Sequence, residues 1–392
     1  MLSGREVAVV GAGIGGLAAA LALARRGARV CVFERAPQLS EVGAGLQISP
    51  NGVAVLDALG LGEELRRLGP PVEAIELRDY RRGALVARLP LPAQGRPFLP
   101  VHRADLLELL ASAARAAGVE ILPGQELRGL EADPEERPGR LRLDLAGGAR
   151  ERVGLLVGAD GLHSRVRPFL NGAAEAGFTG QVAWRAIVPA PRGIAPRVEV
   201  HMAPGRHVVF YPLRGGRLIN IVAVEERAAW HAEGWNHPGD PAVLREAFSA
   251  FGGDVRALLV RVDRVMVWGL FRHPVARRWH GRGCVLLGDA AHPTLPFLAQ
   301  GANMALEDAW VLADCLAKMP QDRALAAYQG RRRDRVLRVV AAADANARNY
   351  HLRNPALRLA AHGALRALSR LFPGHLPARY RWIHAHDVTR EG

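Results

Sequence analysis

The sequence of 392 residues contains one lysine and three cysteines, and both scarcities limit what it can be. Cys31, Cys284 and Cys315 lie far apart and form no C-x-x-C pair, which argues against a disulfide framework or a thiolate metal site. They favour a reducing, cytoplasmic location. Because Lys318 is the only lysine, the 52 basic residues are nearly all arginine, and the net charge of +14 creates a field that favours anions.

An apolar stretch at residues 7–24 is long enough to resemble a signal peptide or a membrane span. Four glycines interrupt it, and its pattern changes from a buried strand at 7–10 to an alanine- and leucine-rich helix at 17–26. A second β-branched run at 28–33 follows. The stretch therefore predicts a β-α-β unit rather than a leader.

A glycine motif joins the first strand to the helix. Glycines at G-x-G-x-x-G spacing permit a tight turn and let the backbone approach a pyrophosphate, whose charge meets the helix N-terminus. Glu34 ends the second strand, where an acid binds ribose hydroxyls and favours FAD or NAD over NADP; the adjacent Arg35 weakens that distinction. The order of these features predicts adenine-dinucleotide binding. The glycines are Gly11, Gly13, Gly15 and Gly16.

Two acidic residues come directly after later predicted strands. Asp160 follows a strand at 153–157, and Asp289 follows a strand at 284–287, ahead of a helix at 305–317. Each acid alone is also typical of an ordinary turn. Between them, residues 176–275 alternate as an antiparallel sheet does, with one helix at 242–251. A helix is also predicted at 51–68.

With these motifs in order, the chain resembles the single-component (class A) FAD-dependent aromatic hydroxylases related to salicylate and 3-hydroxybenzoate hydroxylases. The resemblance covers about residues 5–320. It implies an α/β fold with a Rossmann-like FAD-binding domain of the glutathione-reductase type, an inserted, mainly antiparallel β-sheet substrate domain, and C-terminal helices. The expected boundaries are 1–70, 100–175 and 276–320 for the FAD-binding domain, 71–99 and 176–275 for the substrate domain, and 321–392 for a basic helical region.

The resemblance also implies which residues bind FAD. Asp289 is expected to hold the ribityl chain, and the backbone at 301–303 to begin a helix whose N–H groups stabilise negative charge on the reduced flavin. Leu46 and Gln47 either touch the ring or belong to a glycine loop, starting at Gly43, that caps the next helix. Besides the glycine motif, the implied FAD contacts are Glu34, Arg35, Leu46, Gln47, Arg103, Asp160, Gly288, Asp289, Pro293, Gly301, Ala302 and Asn303.

The substrate pocket is expected in the antiparallel sheet. His207 and Tyr211 are four residues apart on a predicted strand and so share a face. The resemblance gives His207 the role of activating a phenol, which suits an ordinary histidine pKa near 6.5, and Tyr211 an orienting hydrogen bond; the alternative is a histidine at a sheet edge and a tyrosine in the core. Pro296 and Phe297 are expected to form an apolar wall near the substrate. Trp184 and Arg185 either meet a ring and a carboxylate or are packing and a surface charge, and Arg214 has the same alternatives.

The implied reaction hydroxylates a small phenolic or related aromatic substrate. NADH or NADPH reduces FAD, and O₂ then forms a C4a-hydroperoxyflavin that transfers oxygen to the ring. Since no second dinucleotide motif is visible, the nicotinamide donor is expected to bind transiently. No metal site is indicated among the 14 histidines, and a monomer or homodimer is expected.

Two alternatives arise from the C-terminal region, where residues 321–392 carry 14 arginines against 5 acidic residues. An apolar helical face at 357–371 fits a flavoprotein acting on a membrane quinone or polyprenyl lipid, or else a helix packed on the body or on a second subunit. The arginine run at 331–335 suggests nucleic-acid binding, but no recognised nucleic-acid fold accompanies it.

Overall fold

The structure is a computed structural model that describes residues 2–39, 45–91, 95–132, 140–230 and 237–391. The helices in these ranges are α1 (Ile14–Ala24), α2 (Pro50–Ala58), α3 (Gly62–Leu68), α4 (Arg103–Ala116), α5 (Arg167–Asn171), α6 (Pro241–Ala247), α7 (Gly253–Val260), α8 (Gly301–Lys318), α9 (Gln321–Tyr350), α10 (Pro355–Leu371) and α11 (His375–His384). The strands are β1 (Glu6–Val10), β2 (Arg29–Glu34), β3 (Gly45–Ile48), β4 (Ala74–Asp79), β5 (Leu85–Pro90), β6 (Leu99–His102), β7 (Glu120–Pro123), β8 (Leu127–Ala132), β9 (Leu141–Leu145), β10 (Arg150–Val153), β11 (Leu156–Gly158), β12 (Gly177–Pro189), β13 (Arg197–Ala203), β14 (Arg206–Leu213), β15 (Leu218–Glu226), β16 (His237–Gly239), β17 (Val265–Arg272), β18 (His280–Gly281) and β19 (Cys284–Leu286).

A six-stranded sheet, in the order β18-β19-β11-β1-β2-β7, forms the first layer. Its strands pair in parallel except at the β18 edge. Strands buried on both faces read as continuous apolar runs, which is why 7–10 and 284–287 were recognisable in the sequence. Because parallel strands end at one edge, the glycine turn, Glu34, Asp160 and Asp289 are brought together there.

An eight-stranded sheet, in the order β16-β17-β12-β15-β14-β13-β4-β5, forms the second layer. Neighbouring strands are antiparallel, apart from the parallel pair β13 and β4. The sheet contains strands from both of the ranges expected for the substrate domain: β4 and β5 from 71–99, and the other six from 176–275. Small antiparallel sheets of β8–β10 and of β3 with β6 complete the strands.

Three predicted elements are wrong in their extent. The helix at 51–68 is two helices, because the chain turns at Gly60 in a positive-φ conformation. The strand at 153–157 is two strands in different sheets, and the helix at 242–251 already ends at Ala247. In each case the apolar pattern continues through a turn, so periodicity alone does not reveal the break.

The C-terminal helices pack on the body of the protein. In α10, Leu365 and Leu368 contact the apolar cluster around Ala87 and Leu89, and Ser369 accepts a hydrogen bond from the backbone N–H of Arg88 at 3.1 Å. Packing thus accounts for Leu365 and Leu368 of the predicted apolar face at 357–371, whereas Leu357, Ala364 and Leu371 are exposed. Among the described residues, no helix combines the length and apolarity needed to cross a membrane.

Candidate active site

One cavity of about 1290 Å³ is lined both by loops of the parallel sheet and by one face of the eight-stranded sheet. It contains most of the residues expected from the sequence. From the first layer these are Gly13, Gly15, Leu46, Gln47, Arg103, Gly288, Asp289, Gly301 and Ala302. From the second layer and the segment before α8 they are Arg185, His207, Tyr211, Pro296 and Phe297.

The motif glycines fall into two structural groups. Gly11 has a φ of +101°, and a Cβ there would lie 2.4 Å from the carbonyl oxygen of Ala159. A Cβ on Gly16 would lie 1.9 Å from the carbonyl oxygen of Gly11. A Cβ on Gly13, by contrast, would meet nothing within 4 Å. Gly11 and Gly16 therefore permit close backbone packing, whereas Gly13 leaves open space at the N-terminus of α1.

The acids beside this turn hold backbone loops in place. Glu34 accepts hydrogen bonds from the backbone N–H groups of Ala12 at 2.7 Å and Ala36 at 2.9 Å. Asp160 accepts one from Arg165 at 2.7 Å, and burial raises the pKa of its carboxyl. Neither acid lines the large cavity, and Arg35 is exposed and also lies outside it. Asp289 and Arg103 do line the cavity.

The first turn of α8 faces the cavity through Gly301 and Ala302. Such a turn offers backbone N–H groups that have no intrahelical acceptor. Asn303 is fully buried instead, and its side chain donates to the carbonyl oxygens of Gln47 at 3.0 Å and Ala299 at 2.8 Å. Pro293 is buried and does not line the cavity either. Asn303 thus positions β3 against α8, and the expected contact of Pro293 with the cofactor is not supported by its placement.

A buried ion-pair network lies behind this helix turn. Glu307 and Asp308 of α8 pair with Arg332 of α9 at 2.6 Å and 2.7 Å, and Arg335 adds a 2.7 Å contact to Glu307. Burial alone would raise the pKa of Glu307, but the two arginines outweigh it and lower the pKa to about 2. Two arginines of the 331–335 run thus neutralise buried acids, which removes much of the charge that suggested nucleic-acid binding.

His207 and Tyr211 lie on β14 with their side chains at the cavity, as the alternation predicted. Both are buried, and the Tyr211 hydroxyl is hydrogen-bonded to Gln47. Arg185 reaches the same cavity from β12, with its guanidinium 4.6 Å from the ring centre of Trp268. A cation and two hydrogen-bonding side chains therefore share one aromatic-lined wall.

Trp184 does not contribute to this wall, and of its two alternatives, substrate contact and packing, the structure supports packing. Successive residues of a strand point to opposite faces, so Arg185 at the cavity places Trp184 on the far side of the sheet. There its indole N–H donates to Glu225 at 3.0 Å within a separate apolar cluster. Arg214, the other arginine left open by the sequence, pairs with Asp105 at 2.6 Å.

The expectation of an ordinary histidine pKa at position 207 is also wrong. His207 is buried, and its Nδ1 lies 2.7 Å from Nε2 of His351. Burial, and repulsion from His351 whenever that ring is protonated, hold the pKa of His207 well below the usual value. Nothing in the sequence links these two histidines, because they are 144 residues apart. His351 and its neighbour Tyr350 were therefore missed.

The free energy of unfolding is expected to fall as the pH drops below about 6.5, the pKa of an unfolded histidine. The folded protein keeps His207 neutral, whereas the unfolded chain binds a proton, so acid favours unfolding. This group alone can cost at most about 1.4 kcal/mol at pH 5.5 relative to pH 7.5, the limit for a histidine that stays neutral in the folded protein. Denaturant titrations at both pH values measure the loss. The loss should be smaller in His207→Gln, and an undiminished loss would contradict the assignment.

The site residues fit an FAD molecule. Gly13 leaves space where a pyrophosphate approaches a dinucleotide-binding helix, and α8 directs its N-terminus at the same cavity. Asp289 offers a carboxylate to ribityl hydroxyls, and Arg103 offers a cation. The loop residues Gly43 and Ala44 of the expected flavin loop lie outside the described residues.

Comparisons with known proteins agree with this arrangement. The FAD binding domain family matches residues 5–343. The chain is 40% identical to 3-amino-4-hydroxybenzoate 2-monooxygenase of Streptomyces cremeus over 88% of each chain. It is 36% identical to 3-hydroxybenzoate 6-hydroxylase 1 of Aquipseudomonas alcaligenes, over 85% of this chain and 86% of the relative. Among solved structures, Klebsiella pneumoniae HpxO complexed with FAD and uric acid superposes with a TM-score of 0.82 and 27% identity, over 94% and 95% of the chains.

Proposed function

The chain belongs to the FAD binding domain family and is an FAD-dependent aromatic monooxygenase, and from this premise we propose that it hydroxylates a small benzoate carrying a ring hydroxyl or amino group. The observation that supports this most is the shared cavity: the elements suited to FAD and the side chains suited to a phenol line the same space. The names of the two relatives reported above support the benzoate ring as the substrate class.

We assign FAD binding to the residues at the edge of the parallel sheet. Gly13 and the N-terminus of α1 would receive the pyrophosphate, Glu34 the adenosine ribose, and Asp289 the ribityl chain. The first turn of α8 would stabilise negative charge on the flavin. The chemistry supplied by bound FAD is acceptance of electrons from NADH or NADPH and activation of O₂ for insertion into an aromatic ring.

The chain's own contribution is to hold the substrate ring and to manage its hydroxyl proton. His207 accepts a hydrogen bond from the ring hydroxyl and promotes its phenolate character, which makes the ring carbons electron-rich. Tyr211, fixed by Gln47, orients the ring. The rings of Phe297 and Tyr350 lie 5.2 and 5.4 Å from that of His207 and exclude water from it.

Arg185 is proposed to bind the substrate carboxylate. In Arg185→Met, we expect the Kd for 3-amino-4-hydroxybenzoate to rise by about 10- to 150-fold, because a charge-assisted hydrogen bond contributes ~1.5–3 kcal/mol. The Kd for 2-aminophenol, the same ring without the carboxylate, should change less than about twofold. Flavin absorbance titrations measure both. Equal weakening of the two ligands would remove Arg185 from this role.

The direct test of the function is turnover by the FAD-loaded protein. NADH or NADPH oxidation is followed with 3-amino-4-hydroxybenzoate and with 3-hydroxybenzoate, and H₂O₂ is measured alongside to separate hydroxylation from uncoupled oxidation. A product heavier by one oxygen atom, at a yield matching the NAD(P)H consumed, is the expected result. Protein that takes up no FAD, or that turns all reducing equivalents into H₂O₂ with both ring types, would contradict the proposal.

The finer features of the architecture belong to the same proposal. We propose that the parallel sheet is a Rossmann-like FAD domain of the glutathione-reductase type, formed by 1–70, 100–175 and 276–320. The eight-stranded sheet, from 71–99 and 176–275, is proposed as the substrate domain, and 321–392 as a basic helical region. We also propose a cytoplasmic location, which the three free cysteines support. We propose no nucleic-acid partner, since Arg332 and Arg335 pair internally, and a monomer or homodimer as the oligomeric state.

A further inference from the structure

A line of hydrogen-bonded side chains leads from the substrate cavity to the protein surface. His207 Nδ1 lies 2.7 Å from His351 Nε2, and His351 Nδ1 lies 2.9 Å from Glu226 Oε1. The other carboxylate oxygen of Glu226 accepts a hydrogen bond from Arg353 at 3.0 Å. The links join the neighbouring strands β14 and β15 to the segment that follows α9, which is distant from them in sequence.

The two ends of this line lie in different surroundings. The side chains of His207 and His351 are almost fully buried, whereas that of Glu226 is 31% exposed. Glu226 and Arg353 line a separate surface pocket of about 440 Å³. His207 lines the large cavity. Glu226 is two residues beyond Val224, the partner of His207 on β15, so both ends of the line lie on the cavity face of the sheet. The line therefore connects the substrate cavity with solvent at the end of β15, past a buried segment where Phe297 and Tyr350 pack on His207.

The hydrogen-bonding groups determine which nitrogens carry protons. Burial alone would raise the pKa of Glu226, but hydrogen bonds from Arg353 and His351 outweigh it and lower the pKa, so the carboxylate only accepts. Burial lowers the pKa of His351, against the opposing effect of Glu226, so both imidazoles are neutral near pH 7. His351 must then donate from Nδ1 and accept at Nε2, and His207 must donate from Nδ1. Nε2 of His207 is left with a lone pair for the cavity.

Resting on the function proposed above, we propose that Glu226 and His351 form a proton relay that sets His207 as an acceptor and carries the substrate's hydroxyl proton to solvent. The substrate O–H bond breaks as Nε2 of His207 takes the proton. The Nδ1 proton of His207 passes to Nε2 of His351, and the Nδ1 proton of His351 passes to Glu226, which releases it to water. Each imidazole exchanges one proton for another and never becomes a cation. The reverse passage returns one proton to the product and restores both tautomers.

This mechanism reconciles the low basicity of His207 with a role in phenol activation. A buried histidine that had to hold the proton as imidazolium would be a poor base, because burial penalises that cation. In a relay, His207 passes one proton on as it takes up another, so the imidazolium cation is not formed. The titratable and charged groups facing the pair are Tyr350 beside His207, and Glu226 and Arg353 beside His351.

Glu226→Gln tests the relay sharply because Arg353 determines how the amide is oriented. Arginine only donates, so the Gln oxygen faces Arg353 and the amide N–H faces His351. Nδ1 of His351 must then accept, which inverts both tautomers and turns Nε2 of His207 into a donor. Arg353→Gln is the matched control: it removes the same ion pair at an exposed position and leaves the Glu226–His351 contact in place.

The first measurement is ¹⁵N NMR of the histidine-labelled, FAD-loaded protein, with signals assigned from His207→Gln and His351→Gln. We expect Nδ1–H tautomers for both histidines in the natural protein and in Arg353→Gln, and Nε2–H tautomers for both in Glu226→Gln. This measurement needs no turnover, so it tests the relay even if neither benzoate proves to be a substrate. An Nε2–H tautomer of His207 in the natural protein would overturn the proposal.

The second measurement is single-turnover hydroxylation of 3-amino-4-hydroxybenzoate. Glu226→Gln is expected to lower the rate by at least ~10-fold, toward the ~10²–10⁴ range of lost acid–base catalysis, while FAD content and substrate Kd change less than about twofold. Arg353→Gln should stay within about twofold of the natural rate. Equal rates in the two variants would show that the contact only supports the structure, and would overturn the relay.

Discussion

Replacing Gly16 with alanine is expected to destabilise the protein by about 3 kcal/mol even without FAD, the upper range of overpacking. The added Cβ would lie 1.9 Å from the carbonyl oxygen of Gly11. That neighbour is backbone held between β1 and α1, so it cannot rotate away as a side chain can. Denaturant unfolding of the apoprotein measures the loss, and FAD content after purification should fall with it.

Gly13→Ala is the informative comparison, because it separates folding from binding. Its Cβ meets nothing within 4 Å and its φ of −73° suits alanine, so the apoprotein should keep its free energy of unfolding within about 0.5 kcal/mol. The methyl group would nevertheless occupy the approach to the pyrophosphate, and the Kd for FAD should rise by at least ~100-fold. Equal loss of stability in both variants would contradict the division of roles between these glycines.

His207→Ala is expected to lower coupled hydroxylation by about 10²–10⁴-fold, the range for loss of a positioned acid–base group. FAD binding should be unchanged, because His207 lies on β14, away from the glycine turn. Electrons from NAD(P)H should then appear largely as H₂O₂. The measurement is product formed per NAD(P)H oxidised, with 3-amino-4-hydroxybenzoate as substrate.

His375→Ala provides the control for this experiment. His375 begins α11, is exposed and does not line the cavity, so its replacement should leave coupling and rate unchanged. Undiminished coupled turnover in His207→Ala would remove His207 from the catalytic residues and leave the cavity wall with a binding role only.

The FAD side of the site was largely predictable, for a physical reason. Its motifs sit at the ends of buried parallel strands, which sequence patterns reveal, and parallel strands deliver their ends to one edge. Gly13, Asp289 and Gly301 thus meet at one cavity although nearly 300 residues separate the first from the last. Pro293 and Asn303 were predicted less well. Both lie next to a motif, but both are buried outside the cavity, because a position beside a motif does not determine which way a side chain points.

The substrate side was less predictable, because an alternating strand pattern separates two faces without identifying the one that lines the pocket. The pattern at 182–188 places Trp184 and Arg185 on opposite faces, but it does not say which face is the pocket. His207 was found from a short local pattern, whereas its partner His351 comes from the end of α9 and follows no motif. Its low pKa is a property of burial and of that partner, so no sequence pattern could have indicated it.

The ion pairs between α8 and α9 have a consequence for the size of the smallest unit that can fold. A chain cut at residue 320 would keep every FAD motif of the sequence, yet it would lack Arg332 and Arg335. Glu307 would then lose both of its arginine partners, Asp308 would keep only His292 as an ion-pair partner, and the face of α8 that α9 covers would be exposed. The FAD motifs therefore do not mark the end of the unit that can fold. A truncation or recombination that preserves FAD binding must place its cut after residue 335.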